Sequence, residues 1–330
     1  MANHVKQFPA NKDGYTPASI EYDGRELWLD IRRGFIGGSE AAILLNKSQW
    51  GSQYSLHMEK TGGAPSDFTD STRMQWGRRL EYSIRDGIAE DLGYDDSSCL
   101  YAESTYLYKE GEAKMGSTPD AVFTHASDKV LEALGHVEGP GVFEIKNVDG
   151  LIHNQKWTDD EPPLQYIIQL QHYMAVMGYE WGVLGALVGG NQPYVYFYRA
   201  HADTQLAIET SCVSFWEDIA AGKTPPVDSS TATESTIKRM HPRAVIDEVD
   251  LTADNELPLI CASYKIAKAE EKEIGEKIRG LRSKIMAKVG DAAQARCEGF
   301  VLKYPSRDVE AYMVKPRTQR TLTIKELVNG

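Results

Sequence analysis

The chain reads Met115-Gly-Ser-Thr-Pro-Asp-Ala-Val-Phe123 and, further on, Gly141-Val-Phe-Glu-Ile-Lys-Asn147, and these two stretches decide its fold. Both are predicted to lie in β-strands, where side chains alternate between the two faces with a period of two. Glu144 and Lys146 are therefore expected on one face of their strand, whereas Ile145 is expected to point to the core.

Together the two stretches spell the PD…(D/E)xK pattern of metal-dependent nucleases, with Pro119-Asp120 upstream of Glu144-Ile145-Lys146. Phosphodiester cleavage needs hard oxygen ligands for Mg²⁺ and a cation beside the attacking water. Asp120 and Glu144 can supply the ligands, and Lys146 can orient or activate the water. A strand that carries only Glu-x-Lys is usually a solvated face, so the upstream Pro-Asp is what favours a nuclease.

The composition is that of a soluble globular protein. With 330 residues, of which 42% are hydrophobic, the chain can form one large domain or a core domain with an appendage. No apolar run approaches the roughly 20 residues needed to span a bilayer, so no membrane partner is expected. The first seven residues lack the apolar core of a signal peptide, and a cytoplasmic location is therefore expected.

The four cysteines are widely scattered and are expected to be reduced thiols: Cys99, Cys212, Cys261 and Cys297. Some nucleases with the same catalytic pattern hold an iron–sulfur cluster, for which they use one upstream cysteine and a tight downstream trio. Here the last three cysteines are separated by 49 and 36 residues, so a cluster is not expected.

The net charge of −12 is unevenly distributed. The first 261 residues carry 21 basic and 39 acidic side chains, a net charge of −18, whereas residues 262–330 carry 15 and 9, a net charge of +6. This balance argues against a protein that coats nucleic acid generally. An acidic body can still cut DNA if its basic groups converge on one channel and a metal neutralises the site.

Two parts of the chain differ in pattern. Residues 20–222 alternate helical and strand-like segments, and the Pro-, Ser- and Thr-rich stretch 222–236 is predicted to be a surface connection. Beyond it, apolar residues recur at spacings typical of one stripe on a long helix. The stripe consists of Ile274, Ile278, Leu281 and Ile285.

The tail alternates like strands at residues 299–304 and 321–325. The predicted organisation is therefore a catalytic core over residues 1–222, a connecting segment over 223–260, and an appendage over 261–330. The appendage is expected to consist of an amphipathic helix and short strands.

The order of elements in the core predicts an α/β (α+β) fold of the restriction-endonuclease type, with a mixed central sheet flanked by helices. A helix is predicted before the two catalytic strands, and a second helix and two more strands are predicted after them. These four elements are residues 73–92, 164–177 (ended by Gly178 as a C-terminal cap), 181–188 and 194–199.

Further polar residues lie on the two predicted helices. Glu81 is on residues 73–92, where an exposed glutamate usually only adds solubility. Gln165, Gln169 and His172 share one face of the later helix because they are spaced at i, i+4 and i+7. This row is either plain surface or the side that faces the cleft. For His172 a structural or supporting role is favoured over direct chemistry.

Residues 32–43 place a Gly-Gly-Ser turn just before a helix. Free backbone N–H groups, the Ser39 hydroxyl and the positive helix end can bind a phosphate, and Arg32 can add a two-pronged clamp. Ser39 is also a preferred N-cap residue, and from these residues alone a plain cap is favoured.

Five motifs occur in order along about residues 25–200: Trp28-x3-Arg32-x6-Ser39, Trp76-Gly-x3-Glu81, Ser117-x-Pro-Asp120, Glu144-x-Lys146 and Gln169-x-Gln171. Together they resemble the phage lambda-type exonucleases, which include the YqaJ-like viral recombinases. Five ordered motifs are far more specific than Glu-x-Lys alone.

The resemblance implies a processive 5′→3′ exonuclease that acts on double-stranded DNA ends with Mg²⁺, for which Mn²⁺ is expected to substitute. It also implies a role for each matched residue. Asp120, Glu144 and the backbone carbonyl of Ile145 would hold the metal, Lys146 would position or activate the water, Glu81 and Gln169 would complete the active site, and Arg32, Ser39 and Ser117 would grip the 5′-phosphate.

The resemblance further implies a homo-oligomer, a trimeric ring in some members, and a single-strand annealing protein as recombination partner. This chain has about 100 more C-terminal residues than the smallest members, and for these a structural or oligomer-forming role is favoured over DNA or partner contact. Two alternatives stay open: a sequence- or structure-specific endonuclease on the same core, and a catalytically inactive DNA-binding module.

Overall fold

The computed structural model describes residues 3–5, 7–65, 72–157, 161–246, 248–306 and 308. The chain divides into two compact units, Met1–Met240 and His241–Gly330. Among the described residues, every helix is too short or too polar to span a bilayer.

The first unit contains nine helices and nine strands among its described residues. The helices are α1 (Gly24–Arg33), α2 (Gly38–Leu44), α3 (Gln53–Lys60), α4 (Thr72–Asp91), α5 (Asp128–Leu134), α6 (Gly150–Lys156), α7 (Leu164–Met177), α8 (Ala202–Ala220) and α9 (Thr231–Met240). The strands are β1 (Asn3–His4), β2 (Ala18–Glu21), β3 (Cys99–Tyr101), β4 (Thr105–Lys109), β5 (Met115–Ser117), β6 (Ala121–Phe123), β7 (Gly141–Val148), β8 (Trp181–Val188) and β9 (Gln192–Arg199).

A six-stranded mixed sheet with the order β1-β3-β6-β7-β8-β9 forms the centre of this unit. The central strands β7 and β8 are parallel and are connected through α6 and α7, whereas β6 and β9 pair antiparallel to them. A smaller antiparallel sheet consists of β2, β4 and β5. The predicted mixed sheet flanked by helices is thus confirmed.

Alternation along β7 determines which helix each side chain meets. Phe143 and Ile145 pack in one core cluster with residues of α4. Val142 packs in another cluster with residues of α7, so Glu144, two residues on, faces α7 as well. The predicted burial of Ile145 is confirmed, because only 7% of its surface is exposed.

The first catalytic stretch differs from its prediction. It forms two strands in two different sheets, β5 and β6, and Pro119-Asp120 lies in the break between them. Proline has no N–H to donate to a strand ladder, which accounts for the break. Asp120 is therefore held at the end of a strand, where its side chain can reach the neighbouring strand β7.

Several elements confirm the sequence predictions. Helix α4 covers Thr72–Asp91, and α7 covers Leu164–Met177, as expected. Gly178 ends α7 with a φ of 68°, in the left-handed region that favours glycine. Strand β8 is buried almost throughout because helices cover both faces of the sheet.

Helix α2 approaches α7 very closely at Gly38. A Cβ atom at this position would lie 2.5 Å from Cε1 of Tyr173 and 2.9 Å from Cγ of Gln169. Only glycine allows this approach, which brings the following residue, Ser39, next to the helix that faces the catalytic strand.

The surface connection predicted at residues 222–236 is wrong for its last part, because α9 begins at Thr231. The hydroxyl of Ser230 accepts a hydrogen bond from the Thr233 backbone N–H over 3.1 Å, as an N-cap does. Thr233 and Thr236 are buried at 1% exposure. Packing of this threonine face overrides the weak helix propensity of a Ser/Thr-rich sequence, and the division predicted at residue 222 leaves α9 out.

The second unit contains α10 (Leu257–Val289) and a hairpin of β10 (Gln294–Cys297) and β11 (Phe300–Lys303). The predicted long helix and the strand at residues 299–304 are confirmed. The apolar stripe from Ile274 to Ile285 is exposed on α10. The strand predicted at 321–325 lies outside the described residues.

Candidate active site

Glu144, Lys146 and Gln169 form a hydrogen-bonded group between β7 and α7. Nζ of Lys146 lies 2.5 Å from Oε1 of Glu144, and Nε2 of Gln169 donates to the same oxygen over 2.6 Å. Lys146 also donates to Oε1 of Gln169 over 3.2 Å. The structure thus brings together three of the residues predicted for the site.

Asp120 lies beside this group. Its Oδ2 accepts a hydrogen bond of 2.7 Å from the backbone N–H of Ile145, the residue between Glu144 and Lys146. This bond holds the Asp120 carboxylate, which lies between β5 and β6, against the middle of β7. The two halves of the PD…(D/E)xK pattern therefore meet in space.

The carboxyl groups crowd one another in a buried place. Burial and then the negative charge of Asp120 raise the pKa of Glu144 to about 8, although the charge and the hydrogen bond of Lys146 act in the opposite direction. Burial likewise raises the pKa of Asp120. Burial would lower the pKa of Lys146, but the charges of Glu144 and Asp120 outweigh it and hold the pKa above its usual value.

The charges of Asp120 and Lys146 also act on the carboxyl of Glu81, which lies on α4. Burial and then the charge of Asp120 raise its pKa to about 7. Arg85 and Lys146 act in the opposite direction and do not cancel the effect. Glu81, which the resemblance assigns to the active site, is thus electrostatically linked to Asp120.

The donor set suits a hard divalent cation. Oε2 of Glu144 is buried and has no hydrogen-bond partner among the described residues, so it is an acceptor that a cation would satisfy. Within the described ranges, no group of three or more His, Cys, Asp or Glu side chains is arranged to hold a metal. The predicted set of Asp120, Glu144 and the Ile145 carbonyl contains two carboxylates and a backbone oxygen, and it remains a prediction.

The three residues predicted to grip a phosphate line one cavity of about 160 Å³: Arg32, Ser39 and Ser117. They come from α1, α2 and β5, and Tyr173 of α7 lines the same cavity. The hydroxyl of Ser117 is buried without a hydrogen-bond partner among the described residues, so it is available to a ligand. Nε2 of Gln169 donates to the hydroxyl of Tyr173 over 3.1 Å and thereby connects this cavity to the carboxylate group.

Ser39 is not the N-cap of α2. The cap is Gly37, whose backbone N–H donates to Oε2 of Glu40 over 2.8 Å. The plain-cap interpretation of Ser39 is therefore wrong, and its side chain lies on the cavity wall instead.

Two buried charges that sequence reasoning missed hold Arg32 in place. Nε and Nη2 of Arg32 donate to Oε1 of Glu40 over 3.1 and 2.8 Å, and Nζ of Lys60 lies 2.7 Å from Oε2 of the same residue. The guanidinium also lies over the Trp28 ring, 5.3 Å from its centroid. A glutamate three residues after Gly37 is the spacing of a capping box, which could have drawn attention to Glu40.

Three other polar residues of α7 are buried away from solvent: Gln165, Gln171 and His172. His172 is fully buried, and its Nε2 lies 2.9 Å from the carbonyl oxygen of Gly116. Gln171 bonds the backbone at Arg199 and His201, over 2.8 and 2.9 Å. Of the Gln169-x-Gln171 motif, only the first residue therefore contacts the carboxylate group.

Two comparisons of the sequence match known proteins. Residues 27–180 match the YqaJ-like viral recombinase domain. The protein YqaJ of Bacillus subtilis is 27% identical over 287 residues, which are 85% of this chain and 82% of that protein.

Two crystal structures of LHK-Exo are also similar. One is of the alkaline exonuclease from Laribacter hongkongensis, with 20% identity, and the other is of LHK-Exo in complex with dAMP, with 21% identity. Each superposes with a TM-score of 0.46 and covers 60% of this chain and 94% of its own. The match to the YqaJ-like viral recombinase domain thus extends over residues 27–180, just under half of this chain.

Proposed function

We propose that this protein is a DNA nuclease, specifically a divalent-metal-dependent 5′→3′ exonuclease, which shortens one strand of linear duplex DNA and leaves a 3′ single-stranded tail for recombination. One observation carries the proposal. Gln169 contacts both Glu144 in the carboxylate group and Tyr173 in the wall of the Arg32, Ser39 and Ser117 cavity. A site for a terminal phosphate therefore adjoins the site of cleavage.

Asp120 and Glu144, with the carbonyl of Ile145, would hold Mg²⁺, and Mn²⁺ would substitute. The bound cation would polarise the phosphate and favour the ionised form of a water. Lys146 would orient that water beside the phosphate. Gln169 would hold Glu144 and Lys146 in register, because it contacts both side chains. Glu81 would complete the site, because the charges of Asp120 and Lys146 both act on its carboxyl.

A cavity for the terminal phosphate would explain why the enzyme acts on DNA ends. An exonuclease that advances by one nucleotide creates a new 5′-phosphate at every step, and a fixed cavity for that group would return the next phosphodiester to the same position. Glu40 and Lys60 preorganise Arg32 for this task. An endonuclease would have no terminal phosphate to hold.

Assembly and partners are proposed from the family alone. We expect a homo-oligomer, with a trimeric ring as one form, and a single-strand annealing protein as partner in the cytoplasm of a bacterial host. Light scattering of the purified chain, alone and with that class of protein, measures both.

The experiment compares linear duplex DNA with a covalently closed circle in Mg²⁺, in Mn²⁺ and in EDTA. The proposal predicts nucleotide release from the linear DNA in either metal, no release in EDTA, and an intact circle. Cutting of the circle would establish the endonuclease alternative. Equal binding of ends in all three conditions without release would establish an inactive binding module.

A further inference from the structure

The cavity of Arg32, Ser39 and Ser117 contains a further group that can bind a phosphate. Tyr106 of β4 lines the same cavity of about 160 Å³. Only 2% of the surface of Tyr106 is exposed, and its hydroxyl has no hydrogen-bond partner among the described residues. A tyrosine hydroxyl normally finds a partner where it is buried, because an unmade hydrogen bond costs free energy. An unsatisfied hydroxyl in a cavity wall therefore indicates a ligand.

The hydroxyl end of Tyr106 lies against the backbone of Gly116, the residue before Ser117. A Cβ atom at Gly116 would lie 2.2 Å from the tyrosyl oxygen and 2.4 Å from Cε1 of the ring. Only glycine leaves room for the hydroxyl at this position, and Gly116 itself lines the cavity. The ring packs against Phe35, with 5.5 Å between the centroids. The hydroxyl is therefore held at the part of the wall that carries Ser117.

Two buried hydroxyls thus share one cavity without a hydrogen-bond partner in the part of the chain that the structure describes. They belong to Tyr106 and Ser117, whose strands β4 and β5 are neighbours in the small sheet. Each hydroxyl can donate one hydrogen bond. A small ligand that presents several acceptor oxygens, as a terminal phosphate does, would satisfy both hydroxyls at once.

The charges near Tyr106 keep its hydroxyl protonated. Burial and then the charge of Glu40 raise the pKa of Tyr106, although the charge of Arg32 acts in the opposite direction. The hydroxyl is therefore a neutral donor at neutral pH. Because the charge of Arg32 acts on the same hydroxyl, the two groups together favour an anion as the ligand.

We propose that the hydroxyl of Tyr106 donates a hydrogen bond to the terminal 5′-phosphate of the DNA strand and helps to select phosphorylated ends. The inference rests on the proposed function and deepens it, since it adds a residue that none of the five sequence motifs contains. The phosphate would receive the charge of Arg32 and the hydrogen bonds of neutral hydroxyls. A 5′-hydroxyl end would leave the Tyr106 hydroxyl unsatisfied, which favours phosphorylated ends.

The test is fluorescence anisotropy of duplex ends that carry either a 5′-phosphate or a 5′-hydroxyl, with Ca²⁺ in place of Mg²⁺. Tyr106→Phe removes only the hydroxyl oxygen. Loss of a hydrogen bond to a charged group should raise the Kd of this variant for 5′-phosphate ends about 10-fold. The Kd for 5′-hydroxyl ends should change by less than about 2-fold, because those ends do not make the bond.

Tyr179→Phe is the matched control. Tyr179 is similarly buried, and its hydroxyl donates to the carbonyl oxygen of Pro9 over 2.6 Å. Tyr179→Phe should lower the melting temperature by about 2–4 °C and retain wild-type binding of both ends. Tyr106→Phe should show the reverse, with a melting temperature no lower than that of the wild type, since its hydroxyl makes no bond to another described residue.

Two results would overturn the inference. A wild-type Kd of Tyr106→Phe for 5′-phosphate ends would show that the hydroxyl binds water only. Equal losses on both kinds of end, together with a lower melting temperature, would assign Tyr106 a purely structural role.

Digestion of linear DNA in Mg²⁺ by the wild-type protein distinguishes this inference from the proposed function. If the wild type digests 5′ ends and Tyr106→Phe retains the full preference for phosphorylated ends, the inference fails and the proposed function stands. If the wild type neither binds nor digests ends, both fail.

Discussion

Gln169 donates a hydrogen bond of 2.6 Å to Oε1 of Glu144, the oxygen that Lys146 also contacts. Helix α7 thus reaches back to the strand that precedes it in the chain and occupies one oxygen of the catalytic carboxylate. The other oxygen, Oε2, is left without a partner among the described residues. The proposed cation would satisfy this second oxygen.

Lys146→Ala is expected to lower the rate of DNA digestion by about 10²–10³-fold, because the attacking water loses its positioning group. Binding of DNA ends should stay within about 3-fold, since both metal carboxylates remain. The measurement is release of labelled nucleotides beside anisotropy of the same duplex. Lys223→Ala is the control, because this exposed lysine lies just after the end of α8 and pairs with Asp218. Digestion by Lys146→Ala within a factor of two of wild type would refute the role of Lys146.

Substitution of Gln169 should lower activity, whereas substitution of Gln171 should lower stability. Gln169→Ala is expected to slow digestion about 10-fold while it changes the melting temperature little, because the side chain contacts the carboxylate group. Gln171→Ala should instead cost about 1–2 kcal/mol of unfolding free energy, since it leaves the backbone at Arg199 and His201 without a partner. The opposite assignment of activity and stability losses would contradict the site as described.

Arg32→Ala should selectively impair 5′-phosphorylated ends. The expected loss is about 10-fold in kcat/KM on 5′-phosphate ends and less than about 2-fold on 5′-hydroxyl ends. Arg33→Ala is the matched control, because Arg33 is the next residue in the chain and its exposed side chain pairs with Asp30. Equal losses on both kinds of end would contradict the proposal that Arg32 binds the 5′-phosphate.

Glu144→Gln is expected to stabilise the metal-free protein while it abolishes digestion. Because its pKa is about 8 in the folded state, Glu144 must take up a proton when the metal-free protein folds at pH 7, whereas glutamine is already neutral. The unfolding free energy at pH 7 should therefore rise by about 1–3 kcal/mol. Addition of Mg²⁺ should raise the melting temperature of the wild type and raise that of the variant less. Equal Mg²⁺ shifts in calorimetry would place the cation elsewhere.

His172 should make folding weaker in acid. Burial lowers its pKa to about 4, although the charge of Glu40 acts in the opposite direction. His172 therefore binds a proton near pH 6.5 in the unfolded state but only near pH 4 in the folded state. The stability contributed by neutral His172 is therefore complete above pH 6.5 and is lost as pH falls through this window.

The test compares the wild type with His172→Gln. The glutamine cannot titrate, but its side-chain N–H can donate to the carbonyl oxygen of Gly116. Their difference in unfolding free energy should shrink by about 2–3 kcal/mol between pH 7.5 and pH 4. Denaturant titrations at the two pH values measure it, and a constant difference would show that His172 does not carry the effect.

The catalytic strand was predictable because its signal is local. A period of two assigns Glu144 and Ile145 to opposite faces, and the residue types alone indicate the chemistry. The helices α4 and α7 and the strand β8 were predictable for the same reason, from apolar periodicity and from a glycine cap at Gly178.

The remaining features depend on tertiary contacts. The break at Pro119-Asp120 separates two sheets whose pairing no local pattern reveals. Helix α9 has a Ser/Thr-rich sequence typical of a loop, and only its packing on α3 makes it a helix. Glu40 and Lys60 meet Arg32 across 8 and 28 residues of sequence, so their role in holding the guanidinium becomes visible only in the fold.

The most direct test of the central claim is the order in which labels leave a linear duplex in Mg²⁺. Duplexes labelled at either the 5′ or the 3′ end are digested beside a closed circle, and released label is followed with time. The account predicts early loss of the 5′ label, late loss of the 3′ label and an intact circle. Early loss of the 3′ label, or linearisation of the circle, would contradict a 5′→3′ exonuclease and would remove the reason for a 5′-phosphate cavity.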